Sequence, residues 1–342
     1  MNAAVFYGPN RISVESVPAA SGSAVLRVKA CAVCGYDARV FRNGHNKVTP
    51  PIILGHELCG EVVETVKSGG NEIRAGSRVA VCPVVPCLGC YYCHSGDYNL
   101  CSHVKEIGST INGGFAEFIG IPEQVIRTGG LVPIPDDLSD DETALLEPLA
   151  CCLNSVSKMG VQKESSAVII GDGTMGLIHL QLLKLAGARV GVVGKVESRM
   201  QKARDLSADM VAEYEDPETT SRKVLDFTSS IGARAVIVAT SNPVAIELAK
   251  RICAKNSLIN LFAGMPKDHQ LVLDTNWLHY NQISVTGAFG STPRRLREAV
   301  MVAEGTIDLS ELVTHHYPIS QIEQAVIATE KYYGLRTVIN KF

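Results

Sequence analysis

Three groups of residues in this chain have the types and spacing to do chemistry. Cys87, Cys90, Cys93 and Cys101 follow C-x2-C-x2-C-x7-C, and the two-residue gaps let neighbouring thiolates turn back onto one ion. Four sulfurs make a closed tetrahedral zinc site with no position left for a substrate. An iron–sulfur cluster uses similar ligands, and scattered buried thiols are the bland alternative. Cys34 and, after the apolar run Ile52-Ile53-Leu54, the triplet Gly55-His56-Glu57 add a thiol, an imidazole and a carboxylate. Groups of these kinds bind zinc and can leave one coordination position open. Finally, Gly171-Asp172-Gly173-Thr174-Met175-Gly176 matches G-x-G-x-x-G between an apolar run at 167–170 and a helical stretch at 175–185. Such glycines permit a tight turn and close approach of a pyrophosphate, whose charge meets free amides at the helix start. In this strand–turn–helix context the loop predicts dinucleotide binding by Gly171, Gly173, Thr174, Met175 and Gly176.

The end of the following strand bears on which dinucleotide. An acid there accepts hydrogen bonds from the adenine ribose hydroxyls of NAD. Here Val190-Gly191-Val192-Val193 runs into Gly194-Lys195, with Ser198 and Arg199 just beyond. The expectation is therefore that no carboxylate stands at the strand's tip, that Lys195, Ser198 and Arg199 reach a 2′-phosphate, and that NADP is preferred over NAD. The alternative is that Lys195 and Arg199 are solvated helix residues, with Glu197 turned inward.

These groups need elements to position them. The first half of the chain reads as short strands between glycine, proline and polar turns, at 3–7, 12–17, 25–32, 61–66, 78–81 and 115–121. Their rough alternation predicts an antiparallel, partly open barrel. A short helix at 37–41 would carry the Cys34 region on its approach. From about Pro148 the period changes, and strands and helices alternate at 167–170, 175–185, 190–193, 199–206, 235–239, 245–253, 258–262 and 283–286. That pattern means a parallel sheet covered by helices on both faces. Ser241-Asn242-Pro243 and Ser291-Thr292-Pro293 offer helix starts with a capping side chain and a proline. Helices at 294–304 and 322–331 and a strand at 337–340 close the chain.

Composition narrows the function classes. The 342 residues suggest two domains, since single cores rarely exceed roughly 250–300 residues. With 20% charged residues and a net charge of −3, nothing marks a nucleic-acid binder or a partner of acidic membranes. No apolar stretch approaches the roughly 18 residues of a membrane span, and the amino terminus lacks a basic region followed by an apolar core. A cytoplasmic protein is expected. Eleven cysteines, four of them closely spaced in an enzyme-sized chain, favour metal over disulfides. Cys151, Cys152 and Cys253 are expected as buried small hydrophobes.

The segment Cys31-Ala32-Val33-Cys34-Gly35-Tyr36-Asp37, the His56-Glu57 pair and the four-cysteine cluster together resemble the zinc-dependent medium-chain dehydrogenase/reductase family, most of all its polyol (sorbitol-type) dehydrogenases. The resemblance runs from about Val5 to the C-terminus. It implies an α/β protein with a GroES-like, partly open β-barrel catalytic domain at 1–148 and 289–342, bearing a structural-zinc lobe at about 83–104. A Rossmann dinucleotide-binding domain, a doubly wound parallel sheet, is implied at 149–288. It further implies two zinc ions per chain and a catalytic zinc at Cys34, His56, Glu57 and the Glu147 of Leu146-Glu147-Pro148-Leu149. Cys34, His56 and one carboxylate are expected as direct ligands, with Glu147 chosen and Glu57 adjacent.

The implied activity is hydride transfer between an alcohol of a polyol, sugar or sugar acid and NADP, with NAD as the other cofactor, in a homo-oligomer (dimer or tetramer). A threonine-type amino-alcohol dehydrogenase, or a catalytically silent zinc and dinucleotide binder, is the alternative. Where family members carry serine or threonine and often a histidine for proton relay, this chain has Tyr36 and Arg39. Tyr36 keeps a hydroxyl, Arg39 cannot act as a base, and water held by a glutamate is the substitute relay.

Overall fold

The computed structural model describes every residue from Met1 to Phe342. The chain divides into two compact units, one formed by Met1–Ala150 with Gly290–Phe342 and the other by Cys151–Phe289.

In the first unit a seven-stranded sheet runs in the order Leu131–Pro133, Arg78–Val81, Glu57–Val62, Ala24–Val33, Arg336–Lys341 and Val313–Pro318, with Phe118–Ile121 also pairing Ala24–Val33. All its pairings are antiparallel except the last two strands. A three-stranded sheet of Arg11–Ser16, Asn2–Gly8 and Ile52–Ile53 accompanies it. The central strand, AVLRVKACAV, starts half in water and is buried from Ala30 to Val33, where it lies between Glu57–Val62 and Arg336–Lys341. Phe6, Phe41, Phe115, Leu54 and Leu58 are fully buried in the same core. Each such side chain contributes about 1.5–3 kcal/mol by leaving water.

The strand expected at 61–66 begins earlier and is Glu57–Val62. Its polar first residue looks like a turn in sequence, yet it is held inside the sheet opposite Ala32. Continued two residues outward, the register Ala32↔Glu57 brings Cys34 alongside Gly55-His56. Gly55 has φ +91°, and a Cβ there would stand 2.8 Å from Cys31 Sγ and 2.9 Å from Phe115 Cδ1, so only glycine fits that corner.

The second unit is the expected parallel sheet. Its order is Met210–Glu213, Arg189–Gly194, Ser166–Ile170, Ala233–Val238, Cys253–Leu261 and Ser284–Gly287, and every pairing is parallel. The chain order reverses between Ser166–Ile170 and Ala233–Val238, the place where such sheets bind ligands beyond their strand ends. Helices that the periodicity did not announce are Pro217–Phe227, Leu146–Val156 and Thr275–Asn281. The first of these buries only Val224 among its apolar residues, so its hydrophobic signal is faint. It is set instead by its start, where Asp216 Oδ1 accepts from Glu218 N and Thr219 N and Pro217 opens the helix. In Leu146–Val156, Pro148 falls in the first turn, where a missing amide costs nothing. Of the three cysteines expected as buried hydrophobes, only Cys152 is fully buried.

Candidate metal and dinucleotide sites

Cys34 is the residue that starts the helix Gly35–Asn43. Its Sγ accepts from Tyr36 N at 3.2 Å, while its own amide donates to Asp37 Oδ2 at 3.0 Å, a reciprocal cap that fixes the thiol. The strand register then places His56 Nε2 3.5 Å from Cys34 Sγ. Cys34, His56 and Glu57 each offer a ligand atom within 4.8 Å of the others. On the far side of the imidazole, Nδ1 lies 3.8 Å from Asp37 Oδ1, close enough for a carboxylate to orient the ring. Arg336, from the strand on the opposite side of Ala24–Val33, puts Nη1 3.3 Å from Glu57 Oε2.

The charges interlock. Burial pushes the Cys34 thiol up, the Asp37 carboxylate adds to that, and His56 opposes it. Burial disfavours charge on His56, but the Cys34 and Asp37 partners outweigh it and hold the imidazole well above its ordinary value. Burial pushes Glu57 up to about 7, against the opposing pull of Arg336 and His56. Glu57 Oε2 is buried and, although at ion-pair distance from Arg336, is not aligned for a hydrogen bond. A buried carboxylate oxygen left so, beside a thiol and an imidazole, fits a divalent cation of the zinc type.

Glu147, at the first turn of its helix, stands outside the close trio. Its Oε1 accepts from Ser291 Oγ at 3.2 Å, and its charge still acts on both His56 and Glu57. Tyr36 places its ring edge-on to His56, centroids 5.8 Å apart, and its hydroxyl 2.7 Å from the Oγ of buried Ser109. Burial pushes that hydroxyl up to about 12.

The four thiols of Cys87, Cys90, Cys93 and Cys101 also lie within 4.8 Å of one another, and all are free. Backbone amides point at the sulfurs: Cys101 Sγ accepts from Cys87 N at 3.2 Å and His103 N at 3.4 Å. The amides of Ser102 and Cys93 draw Cys90 down to about 5, favouring its thiolate. Four sulfurs converging on one point with amides around them fit a closed tetrahedral metal.

In the second unit the glycine loop leaves the strand Ser166–Ile170 and enters the helix Thr174–Leu185. Gly171 has φ +130°, and a Cβ there would stand 2.9 Å from Ala239 O; a Cβ on Gly176 would stand 2.0 Å from Gly171 O. Gly173 faces open space, with nothing within 4 Å of its would-be Cβ. Two glycines thus close the turn and the middle one bares its backbone, as a pyrophosphate requires. Thr174 is buried and Met175 half-buried in the first helical turn.

The tip of Arg189–Gly194 differs from expectation. A carboxylate does stand there, supplied by the glycine loop: Asp172 Oδ2 accepts from Lys195 N at 2.7 Å and Val196 N at 2.8 Å. Lys195 and Ser198 are exposed, but Arg199, expected beside them as a phosphate-binding cation, is buried in the helix Glu197–Asp205 and is no surface cation. Glu197 does not turn inward and instead pairs with Arg204 at 2.9 Å.

Sequence reasoning gave no part in either site to Asp37, Ser109, Asp172, Ser291 or Arg336, and read Ser291 only as part of a helix start. Asp37 was findable, since an acid three residues after a helix-starting side chain is a capping pattern. Arg336, 303 residues from the Val33 carbonyl that it also touches, carried no local signal.

Two family models match the chain, "Alcohol dehydrogenase GroES-like domain" over residues 20–136 and "Zinc-binding dehydrogenase" over residues 174–304. The D-arabitol-phosphate dehydrogenase of Enterococcus avium is 31% identical over 319 residues, covering 91% of this chain and 88% of that protein. The sorbitol dehydrogenase of Bacillus subtilis (strain 168) is 27% identical over 334 residues, covering 95% and 92%. Among solved structures, a zinc-binding dehydrogenase from Sinorhizobium meliloti 1021 bound to NADP superposes with a TM-score of 0.88 at 25% identity, covering 99% of this chain and 98% of that one.

Proposed function

The chain belongs to the zinc-dependent medium-chain alcohol dehydrogenase family and, from that premise, we propose that it moves a hydride between a secondary alcohol of a polyol, sugar or sugar acid and NADP, with two zinc ions per chain. The observation that carries the reading is the convergence of Cys34, His56 and Glu57 within 4.8 Å, in a chain whose second unit carries a G-x-G-x-x-G loop with an open middle glycine. When bound, zinc lowers the pKa of a coordinated alcohol and the nicotinamide ring takes up the hydride. Cys34, His56 and Glu57 would hold the catalytic metal, and three protein ligands leave a zinc ion of this kind one position for a substrate oxygen. Glu147, expected as the direct ligand, accepts from Ser291 outside the trio and would hold water or substrate there. Asp37 orients His56, and Arg336 balances the charge of Glu57.

Tyr36 passes the proton onward. With its hydroxyl held up to about 12 it stays protonated near neutral pH, so it can relay only by giving a proton to Ser109 while accepting another. Cys87, Cys90, Cys93 and Cys101 hold the structural zinc. The substrate class rests on the sorbitol and D-arabitol-phosphate dehydrogenases among the relatives. The preference for NADP rests on the exposed Lys195 and Ser198 just past the strand tip. A cytoplasmic location and a dimer or tetramer complete the reading, on family resemblance.

The test is NADPH and NADH formation against polyols, sugars, sugar acids, simple alcohols and threonine, with zinc measured per chain. Polyol or sugar-acid oxidation that outpaces the simple alcohols supports the reading. Threonine as the sole substrate overturns the substrate class, and no turnover of any alcohol overturns the catalysis.

A further inference from the structure

The strand-tip residue Gly194 and the loop residue Asp172 are a sterically matched pair. A Cβ on Gly194 would lie 2.7 Å from Asp172 Cβ and 2.7 Å from its Oδ2, a separation that real Cβ atoms do not adopt. Position 194 is therefore glycine because the Asp172 side chain fills the space. The carboxylate is also fixed: its Oδ2 binds the amides of Lys195 and Val196 at 2.7 and 2.8 Å, and the residue is 9% exposed. Those amides follow the strand at the place where a dinucleotide-binding sheet receives the adenine ribose. A group that holds them occupies the donors that a 2′-phosphate would otherwise use, and brings a negative charge of its own.

We infer that Asp172 is the determinant of adenine-ribose recognition in this chain, a loop-borne carboxylate at the tip of Arg189–Gly194 that accepts a ribose hydroxyl and restrains binding of a 2′-phosphate. The inference rests on the cofactor reading above and refines it. Lys195 draws the phosphate in, Asp172 opposes it, and the net preference for NADP is small. The empty strand position and the filled loop position are one arrangement, since the acid cannot stand at 194 while Asp172 is present.

The test reads binding to the full-length protein by calorimetry, with adenosine 5′-monophosphate and adenosine 2′,5′-bisphosphate as probes, so neither zinc nor turnover enters. For Asp172→Asn, whose side chain still accepts one amide without the charge, the bisphosphate should bind at least about tenfold tighter relative to the monophosphate than in wild type. Asp172→Ala combined with Gly194→Asp returns the acid on the strand and should bring the ratio back toward the monophosphate, whereas Gly194→Asp alone should lower the melting temperature. An unchanged ratio in Asp172→Asn, or equal weakening of both probes, overturns the inference by making Asp172 a turn-holding residue only. The wild-type ratio tests the NADP preference separately: a monophosphate preference there sinks that reading and leaves the effect of Asp172 to be judged on the variant.

Discussion

Two sites in this chain are built on cysteine, and they are built differently. The four-thiol lobe takes all its donors from Cys87 to Cys101, and its stabilising partners are backbone amides of the same segment. The trio of Cys34, His56 and Glu57 draws on a helix start, a strand start and, through Arg336, a strand from the far end of the chain. One is local, with amides of its own segment at its sulfurs. The other is buried and balanced by side-chain charges of both signs. The contrast teaches that bringing four thiols together needs only local spacing, whereas assembling a thiol, an imidazole and a carboxylate from separate segments needs the surrounding fold to fix each donor from outside.

Variants can break that contrast. The largest effect is expected from His56→Ala, which should abolish turnover, leave one zinc per chain and leave adenosine monophosphate binding intact; retained turnover would mean that the trio is not the reactive site. Next, Tyr36→Phe should lower the rate by about 10²–10⁴-fold, the range for acid–base assistance, with the metal content unchanged. A rate within a factor of two of wild type would transfer the proton path to water near Glu147. Cys90→Ser should also leave one zinc, but its main cost should be stability, with a melting midpoint lower by roughly 10 °C. A variant that keeps two zinc ions and an unchanged midpoint would refute the closed site.

The smallest effect sharpens the comparison from the side of a polar group with no charged partner. His179 is fully buried in the nucleotide-binding unit, its Nδ1 2.7 Å from Met175 O, and burial lowers it to about 4. Below its unfolded value of about 6.5 the unfolded chain binds the proton and the folded one does not, so stability falls as pH drops from about 6.5 to 4, by about 3 kcal/mol at the acid end. Urea midpoints across that range should fall more steeply for wild type than for His179→Leu, and parallel curves would show that another group carries the acid sensitivity.

What could be read from the sequence follows the same division. The four-cysteine spacing, the G-x-G-x-x-G turn and the change of period near Pro148 are local, and the structure has four thiols within reach of one another, a tight glycine turn and a parallel sheet at those places. Pro217–Phe227 was invisible because its stability comes from its cap and its packing rather than from an apolar stripe. Asp172 was visible only as the variable second residue of a glycine motif, and the strand end looked free of acid because the acid arrives from another loop. Arg336 and Ser291 were out of reach for the same reason: their partners lie far off in sequence, and one sequence carries no record of pairing at that range.

The placement of Arg336–Lys341 between Ala24–Val33 and Val313–Pro318 also orders events during synthesis. That strand, one in from the edge of the sheet, leaves the ribosome after the strands it joins, so until residue 341 has emerged the edge of Ala24–Val33 next to the Cys34 trio stays unpaired. The Cys151–Phe289 unit is continuous in sequence and can fold while that edge waits. Nascent chains stalled before residue 336 should therefore yield a protease-resistant nucleotide-binding fragment and a protease-sensitive amino-terminal half, an exposed strand edge that is open to wrong partners for as long as translation takes.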